Sequence, residues 1–325
     1  AFYTDLESTL KGFSEKASRL DFHYYGIGGL SKEQRQDFAR QNFASTIRKG
    51  NYNLELGDGE WALRYYDRAL NMAKQTGDST AVVNLHQLRI QAARKAELWQ
   101  EAIKSQTAIN DMAARSGDAL SLESGLRNLS VYFGNAGDLK NAIRARAEAR
   151  DLASQRDNGL KTAQDEQILA TLYEKSANHK EAEASIRRAM QIFFDWGEYD
   201  RYITSVIYLS RLYIIRENFG AAVHLLENLD RDARRFSEEA GKTITLPAQY
   251  YQHLGLAYEG LTDYDAAEKA QIAVLRTLGD TISVTSALSH QYLAGIYWKI
   301  GRFQDGLDQL ASRTDDIEGG VGNVI

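Results

Sequence analysis

A small residue returns along this chain at a nearly fixed interval: Ala62, Ala102, Ala142, Ala182, Ala222, Ala267 and Gly306, spaced 40, 40, 40, 40, 45 and 39 residues apart. The surroundings repeat with it. Nine residues earlier stands a large side chain, Phe133, Tyr173, Tyr213, Tyr258 or Tyr297, with Asn53 and Ala93 as the exceptions. Four residues after that comes a turn, such as "LGDG", "NAGD", "LTDY" or "IGRF". Seven residues past the anchor follows another small or apolar residue, Ala69, Ile109, Ala149, Ala189, Leu229 or Val274. Apolar positions at i, i+3, i+4 and i+7 carry the α-helical period. Each unit therefore reads as helix, tight turn, helix, and internal repetition at this period means a solenoid. Alanine or glycine at the crossing lets two helices approach to about 8–10 Å. One hairpin cannot bury its own apolar face, but stacked neighbours bury it for one another.

Composition supports an all-α chain. There is one proline, Pro247, among 325 residues, and strong helix formers dominate. No cysteine is present, so disulfides, thiolate metal sites and cysteine nucleophiles are excluded. The net charge of −5 is mildly acidic, and nucleic acid would need a local basic patch. The most apolar window, Tyr202 to Ile215, is interrupted by Arg211, and no run reaches the roughly 18 apolar residues of a membrane helix. Direct membrane insertion is not expected. No signal peptide is visible at Ala1, which leaves cytoplasm and bacterial periplasm both open.

The corners between units share Gly-Asp: "TGDS" at Thr76–Ser79, "SGDA" at Ser116–Ala119 and "LGDT" at Leu278–Thr281. Glycine can take the left-handed conformation that ends one helix. Asp78, Asp118 and Asp280 are then placed to cap the amides of the next.

With these residues in view, the chain resembles the tetratricopeptide repeat family. "LGLAYEGLTDYDAAEKA", Leu254 to Ala270, carries Leu254, Gly255, Tyr258 and Ala267 around a turn, and "LAGIYWKIGRFQDGLDQL" and "LATLYEKSANHKEAEASI" match nearly as well. The resemblance covers residues 43 to 314 in seven units. The family's usual period is about 34 residues; helices about one turn longer account for the difference here, and this long form is similar to repeats of bacterial sensor and regulator proteins. The resemblance implies a right-handed α-solenoid whose first helices line a concave groove.

The expected organisation is an N-terminal capping helix and loop over residues 1–30, an array over 31–314, and a flexible tail or linker over 315–325. "SKEQ", Ser31 to Gln34, reads as the capping box that opens the first long helix. The segment Arg231 to Pro247 explains the 45-residue spacing and is the expected bend.

Catalytic and metal signals are weak. The histidines, His23, His86, His179, His224, His253 and His290, show no His-x-x-x-His spacing; His86 and His290 share a repeat position and read as interface residues. "GIGGLS" and "GGVG" lack the strand–loop–helix setting of a phosphate loop. The clusters "RARAEAR" and "RDARR" interleave acid and base, as a solvated face does. No enzyme activity, cofactor or metal is expected.

The resemblance carries ligand contacts onto the first helix of each unit. Those positions are Asn84, Gln87, Gln91 and Arg94 in the second unit, and Arg127, Asn128, Val131 and Asn135 in the third. The fourth supplies Gln164, Gln167, Thr171 and Lys175, and later units Arg211, Gln249, Gln252, Gln291 and Trp298. Amides both donate and accept, which suits the backbone of an extended peptide, and arginine adds a fork for a carboxylate. The same amides would equally keep an empty concave face wet. The expected function is a protein- or peptide-binding module of a bacterial regulatory protein. The alternatives are a rigid scaffold that forms homo-oligomers, or the regulatory region of a larger signalling enzyme.

Overall fold

The computed structural model describes residues 31–241, 243–279, 281 and 283–321. The expected N-terminal helix and the Asp280 cap lie outside the described residues. Among those described there are fourteen helices and no strand. The chain divides between Asn158 and Gly159 into two compact units.

The first unit holds three hairpins. They are α1 (Lys32–Glu55) with α2 (Gly59–Thr76), α3 (Ser79–Lys95) with α4 (Trp99–Ser116), and α5 (Ala119–Asn135) with α6 (Leu139–Gln155). The second holds four: α7 (Gly159–Lys175) with α8 (His179–Asp195), α9 (Tyr199–Ile215) with α10 (Phe219–Ala240), α11 (Ala248–Gly260) with α12 (Tyr264–Leu278), and α13 (Val284–Lys299) with α14 (Phe303–Val321). Within each unit consecutive helices pack on one another.

The anchors do what their size requires. Ala62, Ala102, Ala142, Ala182, Ala222 and Ala267 are wholly buried, and Gly306 is buried against the Ala294 carbonyl of α13. Larger side chains fill the space between hairpins. In the first unit Phe43, Ile47 and Leu85 gather around Ala69 and Ala73, and Tyr66, Ile90 and Leu129 around Ala93 and Ala102. In the second unit Ile186, Phe193, Leu209 and Leu226 form a continuous core. Truncating one such leucine to alanine costs about 2–5 kcal/mol.

The turns repeat as regularly as the anchors. Inside the hairpins the residue after the C-cap is left-handed: Gly57, Glu97, Gly137, Ala177, Glu217, Thr262 and Gly301. The following N–H donates back to the residue nine before the anchor. Asp138 reaches the Phe133 carbonyl at 2.9 Å, Asn178 that of Tyr173 at 2.8 Å, and Asn218 that of Tyr213 at 2.9 Å. This is the Schellman closure of a helix end. The large residue of the sequence pattern thus sits in the last turn of each first helix. Between hairpins Gly77, Gly117 and Gly197 take the same conformation.

The next helix then starts on a side-chain cap. Asp78 accepts from Thr80 and Ala81 at 3.1 and 3.2 Å, and Asp118 from Ser121 at 3.0 Å. Asp58, Asp138 and Asp263 cap the second helices in the same way. Ser31 and Gln34 form the expected capping box. One boundary differs from the sequence reading. Helix α14 continues through 315–321, residues assigned to a tail because their glycines and acids hide the helical period. The 45-residue spacing comes from a longer second helix and a proline loop: α10 extends to Ala240, and Pro247 precedes α11.

Candidate binding face

In the first unit the first helices α3 and α5 carry the expected amides. On α3, Gln87, Gln91 and Arg94 recur at i, i+4 and i+7 and are exposed, with Asn84 half-buried one turn earlier. On α5, Asn128, Val131 and Asn135 are exposed at i, i+3 and i+7. Arg94 hydrogen-bonds the Tyr132 hydroxyl, which ties the last turn of α3 to α5; burial pushes that phenol up and Arg94 draws it partly back. The Asn128 amide donates to Gln106 Oε1 of α4 at 3.4 Å. Arg127 turns away from this face. It pairs with buried Glu123 at 2.6 Å, which also holds Arg156 at the C-terminal cap of α6.

The second unit uses the equivalent positions differently. Gln167 Nε2 of α7 donates to Ser205 Oγ of α9 at 2.8 Å. Arg211 of α9 pairs with Glu174 of α7 at 2.6 Å, and Tyr208 donates to the same carboxylate at 2.6 Å. Burial pushes Glu174 up, but the bonds from Arg211 and Tyr208 outweigh it and hold the acid below its ordinary range. His253 of α11 bonds Ser210 of α9, and Lys299 of α13 reaches Glu259 of α11 at 2.7 Å. First helices here are stitched to one another. Gln164 takes a bond from Lys161 at 3.3 Å, and Thr171 donates to the Gln167 carbonyl at 3.2 Å. Lys175, Gln249 and Gln291 are exposed and Gln252 is half-buried. Trp298 is exposed and packs edge-on against Phe303.

No family model matches the chain, and no curated protein does. Solved structures do. The apo form of RapI superposes with a TM-score of 0.61 at 13% identity, over 85% of this chain and 77% of that one. A signal transduction ATPase with numerous domains (STAND) from Pyrococcus horikoshii, with a tetratricopeptide repeat sensor, superposes with a TM-score of 0.60 at 13% identity. That match covers 92% of this chain and 46% of the other, so the chain spans less than half the length of the STAND protein. The chain has a tetratricopeptide-like helical-repeat fold.

Within these repeats the sequence reading missed a set of buried charges. Arg89 of α3, 3% exposed, bonds Asp67 of α2 at 2.6 Å and Glu101 and Ser105 of α4 at 2.7 Å. Glu166 of α7, equally buried, takes a two-pronged contact from Arg188 of α8 at 2.8 and 3.0 Å. Each occupies a position where most repeats carry a leucine or another neutral side chain, and that substitution was the available signal. Arg144 and Arg234 lie on the solvated face as expected, whereas Arg146, within the same "RARAEAR" cluster, is buried. His86 and His290 do face neighbouring helices: His86 is buried, and His290 bonds Gln309 of α14 at 2.7 Å. Among the described residues no three acid or histidine side chains converge as ligands of one metal ion, and no helix is long and apolar enough to cross a membrane.

Proposed function

We propose that the chain is a non-enzymatic protein-interaction module, the docking or sensing part of a regulatory protein, and that its first unit holds an extended peptide segment across α3 and α5. One observation carries this reading. Gln87 and Gln91 stand exposed on α3 beside exposed Asn128 and Asn135 on α5, while the repeat-equivalent Gln167 and Arg211 of the second unit are taken up in cross-links. Exposed amides at helical spacing offer donors and acceptors to a peptide backbone. The tetratricopeptide repeat sensor of the Pyrococcus horikoshii protein supports the reading by analogy of fold.

The test is to pan displayed random peptides against the intact chain and against the triple variant Gln87→Ala, Gln91→Ala, Asn128→Ala. Wild type should enrich a peptide family that the variant does not bind, with melting temperatures alike. Equal binding by both proteins would defeat the proposal.

A second reading has its own observation. On α14, Phe303, Leu307 and Leu310 are 52%, 55% and 42% exposed, yet at the repeat-equivalent positions of α10, Val223 and Leu226 are buried. This apolar stripe favours self-association through the last hairpin. Sedimentation of Leu307→Glu, Leu310→Glu against wild type decides it: a scaffold that assembles there would become smaller.

A further inference from the structure

The first unit also holds a cleft of ≈ 550 Å³ where the N-terminal turns of α3 and α5 meet the end of α4. Its walls are carbon: Val83 of α3 with Ile109, Met112 and Ala113 of α4. Its rim is polar: Thr80 of α3, Arg115 of α4, and Ser121 of α5, whose hydroxyl donates to the Asp118 carboxylate at 2.6 Å. The rim belongs to the amide stripes, because Thr80 lies seven residues before Gln87 and Ser121 seven before Asn128, the same face two turns away. Leu120, beside Ser121, is 63% exposed.

The far end of the same face is cationic. Arg94 and Lys95 are exposed on the last turn of α3, and among the described residues neither pairs with a carboxylate. The wider field agrees. Residues 31–158 carry three more basic than acidic side chains, and residues 159–325 seven fewer, so an anion is drawn to the first unit. Val83 and Arg94 are eleven residues apart, about 16 Å along a helix, a distance an extended peptide covers in about five residues.

Resting on the peptide-binding reading above, we infer that the cleft seats one bulky apolar side chain of the bound segment, and that Arg94 and Lys95 take a carboxylate about five residues away. Methionine in the wall lets the cleft adapt to leucine, methionine or phenylalanine. The amides between the two ends hold the intervening backbone. The face thus measures the spacing between an apolar side chain and an acid.

The probe is a labelled synthetic peptide in a serine–alanine host, with leucine and, about five residues on, aspartate, followed by fluorescence anisotropy on the intact chain. Companion peptides replace the leucine by serine, replace the aspartate by asparagine, halve the spacing, or end in a free rather than an amidated C-terminus. Protein variants are Val83→Glu, Met112→Ser and Lys95→Glu. Removing the leucine, or placing the acid of Val83→Glu in the cleft, should each weaken binding about tenfold, and the two together no further. Lys95→Glu and the asparagine peptide should weaken it severalfold, more at low salt. If a free C-terminus rescues the asparagine peptide, the carboxylate is terminal; if not, it is a side chain. Should Val83→Glu fail to fold, Met112→Ser and the peptide replacements, which leave the protein intact, decide the question in its place.

A peptide bound by wild type and lost in the Gln87→Ala, Gln91→Ala, Asn128→Ala variant, yet indifferent to its leucine and to the cleft, overturns this inference alone. If neither this peptide nor any panned one binds, the underlying reading falls with it.

Discussion

The Tyr213 hydroxyl of α9 donates to Glu183 Oε1 of α8 at 2.7 Å, and Arg216, just past the end of α9, holds the other oxygen of that carboxylate at 3.1 Å. Tyr297 and Arg302 likewise converge on Glu268 of α12, there both on Oε1, at 2.8 and 3.0 Å. Tyrosine from the last turn of one hairpin's first helix, with an arginine from the turn that follows, thus grips the acid of the preceding hairpin. Burial pushes Glu183 up, but the bonds from Tyr213 and Arg187 outweigh it, and the acid rests below its ordinary 4.5. A lowered folded pKa gives stability that is full above the unfolded value and lost as pH falls through the folded one. Tyr213→Phe should cost about 1 kcal/mol near neutral pH, a figure kept low because the pair is partly exposed. The difference from wild type should shrink as pH falls below 4.5 and the carboxylate protonates. Urea melts at both pH values check this.

His86 predicts a second pH effect, in a different window. The ring is 4% exposed on α3, and Nδ1 has no hydrogen-bond partner among the described residues. Burial first, and then the charges of Arg89 and Lys74, lower its pKa from 6.5 to about 4. The folded ring stays neutral while the unfolded one takes up a proton, so stability falls as pH drops from 6.5 towards 4. The loss is on the order of 3 kcal/mol at its limit. His86→Gln should flatten the stability curve across that window. A curve of unchanged slope would remove the histidine from the account.

The hairpins were legible because their cause is local and periodic. A small residue at a crossing, a glycine or aspartate at a turn and a large residue in the last turn are one-position requirements that recur about every 40 residues. Glu97, Ala177 and Glu217 hid their turns, because the left-handed conformation they adopt has no side-chain signature of its own. The candidate face was legible in part. Of the positions that the resemblance supplied, Gln87, Gln91 and Asn128 are exposed on their helices. Whether an exposed arginine is spare depends on partners that the helical period does not record. Arg211 finds Glu174, 37 residues earlier, and Arg127 finds Glu123 one turn away. The cleft at Val83 and Met112 needs three helices at once, and no single stretch of sequence records it.

Gln271 of α12 is wholly buried, and neither of its amide atoms has a hydrogen-bond partner among the described residues. It lies against Gly255 of α11, where a Cβ would come within 2.7 Å of Nε2. A buried amide without partners loses its hydration for nothing, a penalty of about 1–3 kcal/mol. Gln271→Met keeps the shape and removes the polar atoms, so it should raise stability by a similar amount. Gln106, at the same repeat position of α4, is also buried but donates to Asn110 at 3.0 Å. Gln106→Met should therefore destabilise, since it strands the Asn110 oxygen. Opposite signs from one substitution at two equivalent sites, read by chemical denaturation, separate hydrogen bonding from packing.

Thr262 closes the α11–α12 turn at φ 62°. Left-handed backbone costs an L-residue about 1–2 kcal/mol, and a β-branched side chain is the least suited to it. The turn persists because its bonds are made: the Thr262 N–H reaches the Glu259 carbonyl at 2.9 Å, and the Asp263 N–H reaches that of Tyr258 at 2.9 Å. Gly57, Gly137 and Gly301 hold the same place in other hairpins without that strain. Thr262→Gly keeps both bonds and relieves the backbone, while the freer unfolded chain takes back about 0.4–1 kcal/mol. The net gain should be about 1 kcal/mol, seen as a higher melting temperature. Gly137→Thr makes the reverse exchange in the first unit and should lower it. If Thr262→Gly instead melts earlier than wild type, the threonine contributes more through its side chain than its backbone loses, and the turns are not interchangeable between hairpins.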